Sequence, residues 1–191
     1  VGNALISNGI ELIATGSTAE KLTDAGIKVT EVSKYTGFPE ILGGRVKTLH
    51  PRIHSGILAD QNNSEHLAAI KELNIETFDL VIINLYPFVQ TVNSGASFGE
   101  CIEQIDIGGP SMLRSAAKNH ESVAVISNPS QYEQLLRALS SGGFTLAQRK
   151  KLAMECFRVT AEYDMAIANW LDQGNQFPEW LSGAWKLKNM L

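Results

Sequence analysis

Apolar residues along the chain fall into short blocks that alternate between two spacings. Ile10 to Thr15 (Ile-Glu-Leu-Ile-Ala-Thr) is a compact β-prone run following Gly9, and it predicts a mostly buried strand. Thr15-Gly-Ser-Thr18 then turns the chain into a helix over 19–25 that Gly26 stops, and 28–32 predicts the next strand. Gly and Pro punctuate 35–44, which predicts a loop, while 45–58 fits neither spacing. Helical spacing returns over 64–73. Asp79 to Asn84 (Asp-Leu-Val-Ile-Ile-Asn) is the clearest strand: it is apolar without alternation, so burial on both faces is expected, as in a parallel sheet.

The second half is marked by capping signals. Ser97-Phe-Gly-Glu100 is a capping box that opens a helix to about 104, and Thr145 to Gln148 is another, opening a long helix to about 171. Asn128-Pro-Ser-Gln131 supplies an N-cap and a proline at the first helical position for a helix to about 139. Ile105-Asp-Ile-Gly-Gly-Pro110 leads into a helix expected over 111–119, and 122–126 predicts another buried strand. Strands alternating with helices predict an α/β fold, a parallel sheet flanked by helices on both faces. In such sheets ligands bind beyond the carboxyl ends of the strands, where Thr15-Gly-Ser-Thr18 and Asn84-Leu-Tyr86 both fall.

At the start, Val1 to Gly9 reads as the second half of a helix with no N-cap or first turn, so an earlier strand and loop are expected to precede it. At the other end, 172–191 reads as an irregular connector after a single domain over 1–171, a size that matches one good core.

Composition narrows the function. The net charge of −4 and pI near 5.6 do not suit a nucleic-acid partner, so any basic cluster must be local. Cys101 and Cys156 are far apart and lack the spacing of a zinc site or disulfide framework; two small buried hydrophobes in a reducing cytoplasm are expected. No apolar run approaches the ~18 residues a membrane span needs, and no signal peptide is visible.

Several segments suit an anion. Thr15-Gly-Ser-Thr18 offers hydroxyls, free N–H groups and a positive helix end, although taken alone it reads better as a plain N-cap at a tight turn. Arg45-Val-Lys-Thr48 sets two cations and a hydroxyl close together, and in an extended loop Arg45 and Lys47 would point the same way. Pro87 forces Tyr86 out of the helical region, so Asn84 and Tyr86 are placed to reach a cleft. In Asp106-Ile107-Gly108-Gly109, glycine allows close backbone approach, and successive N–H groups can hold an oxyanion. Arg114 and Lys118, at i and i+4, repel one another unless an anion lies between them. His50 and His54 share that spacing, but Pro51 between them and the absence of a third ligand favour hydrogen-bonding roles over a metal pair. These residues alone reach an anion-binding α/β enzyme with a phosphate-bearing substrate.

Taken in order, Thr15-Gly-Ser-Thr18, Tyr35-Thr-Gly-Phe-Pro-Glu40, Gly44-Arg-Val-Lys-Thr-Leu-His-Pro51, His54-Ser-Gly-Ile57, Asn84-Leu-Tyr-Pro-Phe88, Ile105-Asp-Ile-Gly-Gly-Pro110 and Arg114-Ser-Ala-Ala-Lys-Asn-His120 resemble one family across essentially the whole chain. It is the bifunctional purine biosynthesis protein that joins aminoimidazole carboxamide ribotide transformylase to inosine monophosphate cyclohydrolase. The match is to the cyclohydrolase half. The resemblance implies a methylglyoxal-synthase-like fold, a homodimer and dehydrative ring closure of the formylated ribotide to inosine monophosphate. It implies no metal or redox cofactor for that step, and 10-formyltetrahydrofolate for the transformylase half, which this chain lacks.

By position, the resemblance implies Lys47, Tyr86, Asp106 and Lys118 as the catalytic set. Substrate contacts fall to Thr15, Gly16, Ser17, Thr18, Arg45, Thr48, Asn84, Ile107, Gly108 and Gly109. Two departures stand out. Gly16-Ser17 replaces the family's Gly-Gly, and the family's first strand, with its serine- and lysine-bearing loop, has no counterpart here. Trp185 to Leu191 resembles the connector toward the transformylase. Two alternatives remain: a non-catalytic nucleotide-sensing module of the same fold, and methylglyoxal synthase itself, which the Asn-Leu-Tyr-Pro-Phe segment disfavours.

Overall fold

The computed structural model describes residues 1–172; the connector expected beyond Leu171 lies almost wholly outside the described residues. Helix α1 (Gly2–Ser7) leads through Gly9 into β1 (Ile13–Ala14), α2 (Gly16–Asp24), β2 (Thr30–Glu31) and α3 (Val32–Thr36). After a short 3-10 turn come α4 (Pro51–Leu58), α5 (Ser64–Glu72), β3 (Leu80–Ile82), α6 (Phe88–Asn93), α7 (Phe98–Glu103) and α8 (Gly108–Lys118). Strand β4 (Ala124–Ile126), α9 (Tyr132–Ser140) and α10 (Leu146–Leu171) complete the order.

All strand pairing between these elements is parallel, as the alternating pattern predicts. β1 pairs with β2 (Ile13 with Thr30), and β3 pairs with β4 (Leu80 with Ala124). The two pairs stand apart, and a cavity of about 960 Å³ opens between the free edges of β1 and β3. This gap accounts for two departures from the expected pattern. The strands are shorter than the apolar runs, because a ladder needs a partner along its length. Leu80 and Ile82 are half-buried instead of enclosed on both faces, since they line the cavity while β4 is fully buried.

The core lies under the β3–β4 pair. Leu113, Ala116 and Ala117 on α8 meet Leu152, Ala153 and Cys156 on α10, together with Val125 and Ile126 of β4 and Val123 just before it. Both cysteines are buried and free, as expected, and burial pushes the Cys156 thiol up to about 12. The Thr145–Gln148 and Ser97–Glu100 capping boxes form as the sequence indicates.

Three boundaries differ. Gly16-Ser-Thr18 is the first turn of α2, with Thr15 as its extended N-cap, and Gly108-Gly-Pro110 likewise belongs to α8. Val32 opens a helix instead of closing a strand. The unassigned 45–58 segment contains α4: Pro51 sits at its first position, where the missing N–H costs nothing, and His50 Nδ1 accepts from the Arg52 N–H at 3.1 Å.

One side chain ties the long helix to its neighbours. The Arg149 guanidinium donates to the carbonyls of His120 (2.9 Å), Phe144 (2.7 Å) and Glu121 (2.7 Å). Arg149→Ala leaves half-buried carbonyls unpaired, and an equilibrium denaturation series is expected to show a loss of about 2–3 kcal/mol. Arg149→Lys recovers less than half of it, because a point charge cannot span three acceptors.

Candidate active site

The carboxyl ends of β1 and β3 open toward the same end of the cavity. There the wall is formed by Thr15 and Thr18, Gly44 to Thr48, Asn84 and Tyr86, and Asp106 to Gly109. Four segments spread over the sequence thus meet at one place. The start of α8 forms the most structured part. The Asp106 Oδ1 accepts the Gly109 N–H at 2.8 Å, so the carboxylate caps the helix from within its own loop. The next two N–H groups, of Ile107 and Gly108, have no partner among the described residues and stand at the positive end of the helix dipole. They can receive an oxyanion.

Glycine is required here for room. A Cβ on Gly108 would collide with Thr48 Oγ1, and one on Gly109 with the Asp106 carboxylate. The close approach expected at this motif is therefore made by the protein's own side chains. Thr48 is buried against α8. Burial raises the Asp106 carboxyl above the ordinary carboxylate range; hydrogen bonds from the Gly109 and Tyr86 backbones and the charge of Lys47 oppose this without cancelling it. A carboxylate so placed is suited to proton transfer.

The two cations of the Arg45–Thr48 segment separate. Arg45 adopts helical backbone geometry, so the expected common direction of Arg45 and Lys47 does not occur. Lys47 Nζ lies 3.5 Å from Glu40 Oε1. Arg45 forms a short ion pair with Glu103 on α7, which raises the guanidinium and lowers the carboxyl. Tyr86 is exposed at the rim, and Asn84 Nδ2 donates to the Tyr132 hydroxyl at 2.7 Å. A smaller recess joins Thr15 and Gly16 at the start of α2 to Lys47, placing a second helix N-terminus beside a cation.

Lys118 is not brought to this cavity. It is exposed at the last position of α8, and ten residues of helix put it about 15 Å from Gly108. His54 lies between α4 and α8, its Nδ1 3.3 Å from Ser115 Oγ, and burial lowers its pKa. Among the described residues no cluster of three or more His, Cys, Asp or Glu could hold a metal, and no helix is long and apolar enough to cross a membrane.

Sequence reasoning missed Glu40, Glu103, Tyr132 and Tyr163. The Tyr163 hydroxyl on α10 accepts the Asp106 N–H at 2.8 Å and donates to the Gln104 carbonyl at 2.8 Å. Nothing in the local pattern around Tyr163 signals a partner so distant in sequence.

Parallel strands whose carboxyl ends meet two helix N-termini, a half-buried carboxylate and a paired lysine define an anion-receptive α/β domain. The chain belongs to the MGS-like domain family, which matches residues 1–111, and residues 116–191 match the AICARFT/IMPCHase bienzyme family. The family and the fold that the motifs suggested are thereby borne out. The chain is 56% identical to the bifunctional purine biosynthesis protein PurH of Mycobacterium marinum (strain ATCC BAA-535 / M) and 54% identical to that of Mycobacterium ulcerans (strain Agy99). Each match extends over 198 residues, covering all of this chain and 38% of the relative. The chain therefore spans little more than a third of the length of these relatives. A solved structure described as the crystal structure of ForH superposes with a TM-score of 0.76 at 35% identity, over 89% of this chain and 90% of the other.

Proposed function

We propose that this domain is an inosine monophosphate cyclohydrolase, closing the purine ring of the formylated carboxamide ribotide in the last step of de novo purine synthesis. The observation that carries the reading is the start of α8. There a half-buried carboxylate with a raised pKa adjoins two N–H groups that have no partner among the described residues, and Lys47 lies close enough to act on its charge. The names of the PurH relatives support the same reading.

The reaction joins two groups of one substrate. The carboxamide nitrogen attacks the formyl carbon, a C–N bond forms, and the formyl oxygen departs as water. Holding both groups in one pocket supplies much of the acceleration, because the step becomes a positioned intramolecular one. Asp106 takes the proton from the amide nitrogen. The oxygen, now an alkoxide, is received by the Ile107 and Gly108 N–H groups with Lys47 nearby. Asp106, having gained the amide proton, is placed to return it to this oxygen as a hydroxyl, which then leaves as water with a second proton, the one the formamide nitrogen gives up as its C=N bond forms and the C–O bond breaks. Tyr86 at the rim and Asn84, oriented by Tyr132, are assigned to the base and ribose. The starts of α2 (Thr15, Gly16, Ser17, Thr18) and of the Arg45–Thr48 segment are assigned to the phosphate.

No step calls for electron transfer or a metal. Folate chemistry, with 10-formyltetrahydrofolate as donor, belongs to a transformylase region that a longer parent would carry. A cytoplasmic homodimer is part of the same reading. Lys118, on the far end of α8, can serve such a cavity only from a neighbouring copy.

The test is ring closure followed by the absorbance of the purine formed from the formylated ribotide. The wild-type chain is expected to accelerate it catalytically, and Lys47→Ala to lower turnover roughly 100-fold. Tight nucleotide binding with no acceleration would instead establish the sensing module.

A further inference from the structure

Tyr163 stands on α10, outside every segment that carries a chemical group, yet it touches two of them. Its hydroxyl bridges the chain on both sides of Ile105, accepting from the Asp106 N–H and donating to the Gln104 carbonyl, both at 2.8 Å. Its ring lies edge-on to Phe88, with centroids 6.3 Å apart. Phe88 is buried and follows Tyr86-Pro87 directly, and its other side meets Trp170 one helical stretch further along α10 at 5.4 Å. One face of α10 therefore braces the Asp106 loop by hydrogen bonds and the Tyr86 loop by packing.

We infer that Tyr163 is a positioning residue that sets the backbone of Asp106 relative to Tyr86. The inference rests on the ring-closing reading for its kinetic consequence, but its structural content is independent. The hydroxyl is the only partner the Asp106 N–H has among the described residues. With the N–H held from α10 and the carboxylate held by Gly109, Asp106 is fixed at both ends, and the free donors at Ile107 and Gly108 take their direction from it. Removing the hydroxyl releases one anchor while leaving the ring against Phe88 in place. A shift of about an ångström in a proton-transferring group is enough to cost on the order of 100-fold in rate.

The test is Tyr163→Phe, read by kinetics and by amide hydrogen exchange. A fall in kcat of roughly tenfold or more is expected, with KM within about threefold, because the loss acts on alignment and not on general binding. The acidic limb of the kcat profile should move down toward the ordinary carboxylate range, since a loosened loop admits water to Asp106. The Asp106 and Gly109 amides should exchange faster while the Val125 amide in β4 does not. Unchanged kcat and unchanged exchange at Asp106 would overturn the inference. So would equal acceleration at Val125, which would mean a general loss of the fold. A wild-type chain that closes no ring, combined with faster exchange confined to Asp106 and Gly109, would refute the proposed reaction and uphold the positioning role.

Discussion

Asp106→Asn is expected to lower ring-closing turnover by roughly 10²- to 10⁴-fold, the range for removing a positioned acid–base group. Asparagine keeps the shape of the side chain and its oxygen can still accept the Gly109 N–H, so the start of α8 survives. What disappears is the ability to take a proton from the amide nitrogen and return it to the departing oxygen. KM should change little, since the oxyanion donors and the phosphate positions are untouched.

The pH profile carries a second signature. Burial raises the Asp106 carboxyl above its ordinary value of 3.8. The basic form is needed for attack, so wild-type kcat should fall as pH drops through this raised value, giving an acidic limb above the ordinary carboxylate range. In Asp106→Asn that limb should be absent and the residual rate flat. A variant that retains both rate and limb would remove Asp106 from the mechanism.

Gly56→Ala is expected to have the largest effect on stability, a loss of about 3 kcal/mol, at the upper end for overpacking a tight site. Gly56 is buried on α4, and its carbonyl accepts the Phe78 N–H at 3.0 Å, where the chain approaches β3. An added methyl would stand 2.5 Å from the Glu76 carbonyl oxygen and 2.7 Å from the Phe78 ring. The first of these is backbone and cannot swing aside, so α4 must move away from β3. In a domain of this size that corresponds to a fall in the thermal midpoint of about 10 °C. Gly99→Ala on α7, where an added methyl meets nothing, is the control and should leave the midpoint within about 1 °C.

The parallel α/β class was legible because strand runs such as Asp79 to Asn84 contrast with helices announced by capping boxes. Those boxes were read correctly since each is complete within four residues. Helix α4 is less legible, because its start signal is Pro51, which opens a helix at the first position but breaks one at any later position. Strand lengths are not legible in the same way, because an apolar run shows what can pair and not how much of it finds a partner.

At the site, sequence pattern brought out Lys47, Thr48, Tyr86 and Asp106, all of which meet at the cavity. It did not reveal that Arg45 is paired with Glu103, or that Tyr163 holds the Asp106 loop, because those contacts join residues far apart in the chain. Lys118 is a different case. Its spacing from Arg114 showed only which face it occupies. The helical rise, equally readable from sequence, places it at the far end of α8 from the Gly108 N–H groups.

The central claim is that a purine nucleotide is closed at the start of α8 with its phosphate toward α2. A crystal structure of the chain with inosine monophosphate tests this most directly. The account predicts the ring near the Ile107 and Gly108 N–H groups, Asp106 within hydrogen-bonding distance of the base, and the phosphate at the N–H groups of Gly16 and Ser17, since that of Thr18 is taken by the Thr15 carbonyl. A nucleotide bound elsewhere, or one lying with its phosphate at α8 and its base remote from Asp106, would contradict it.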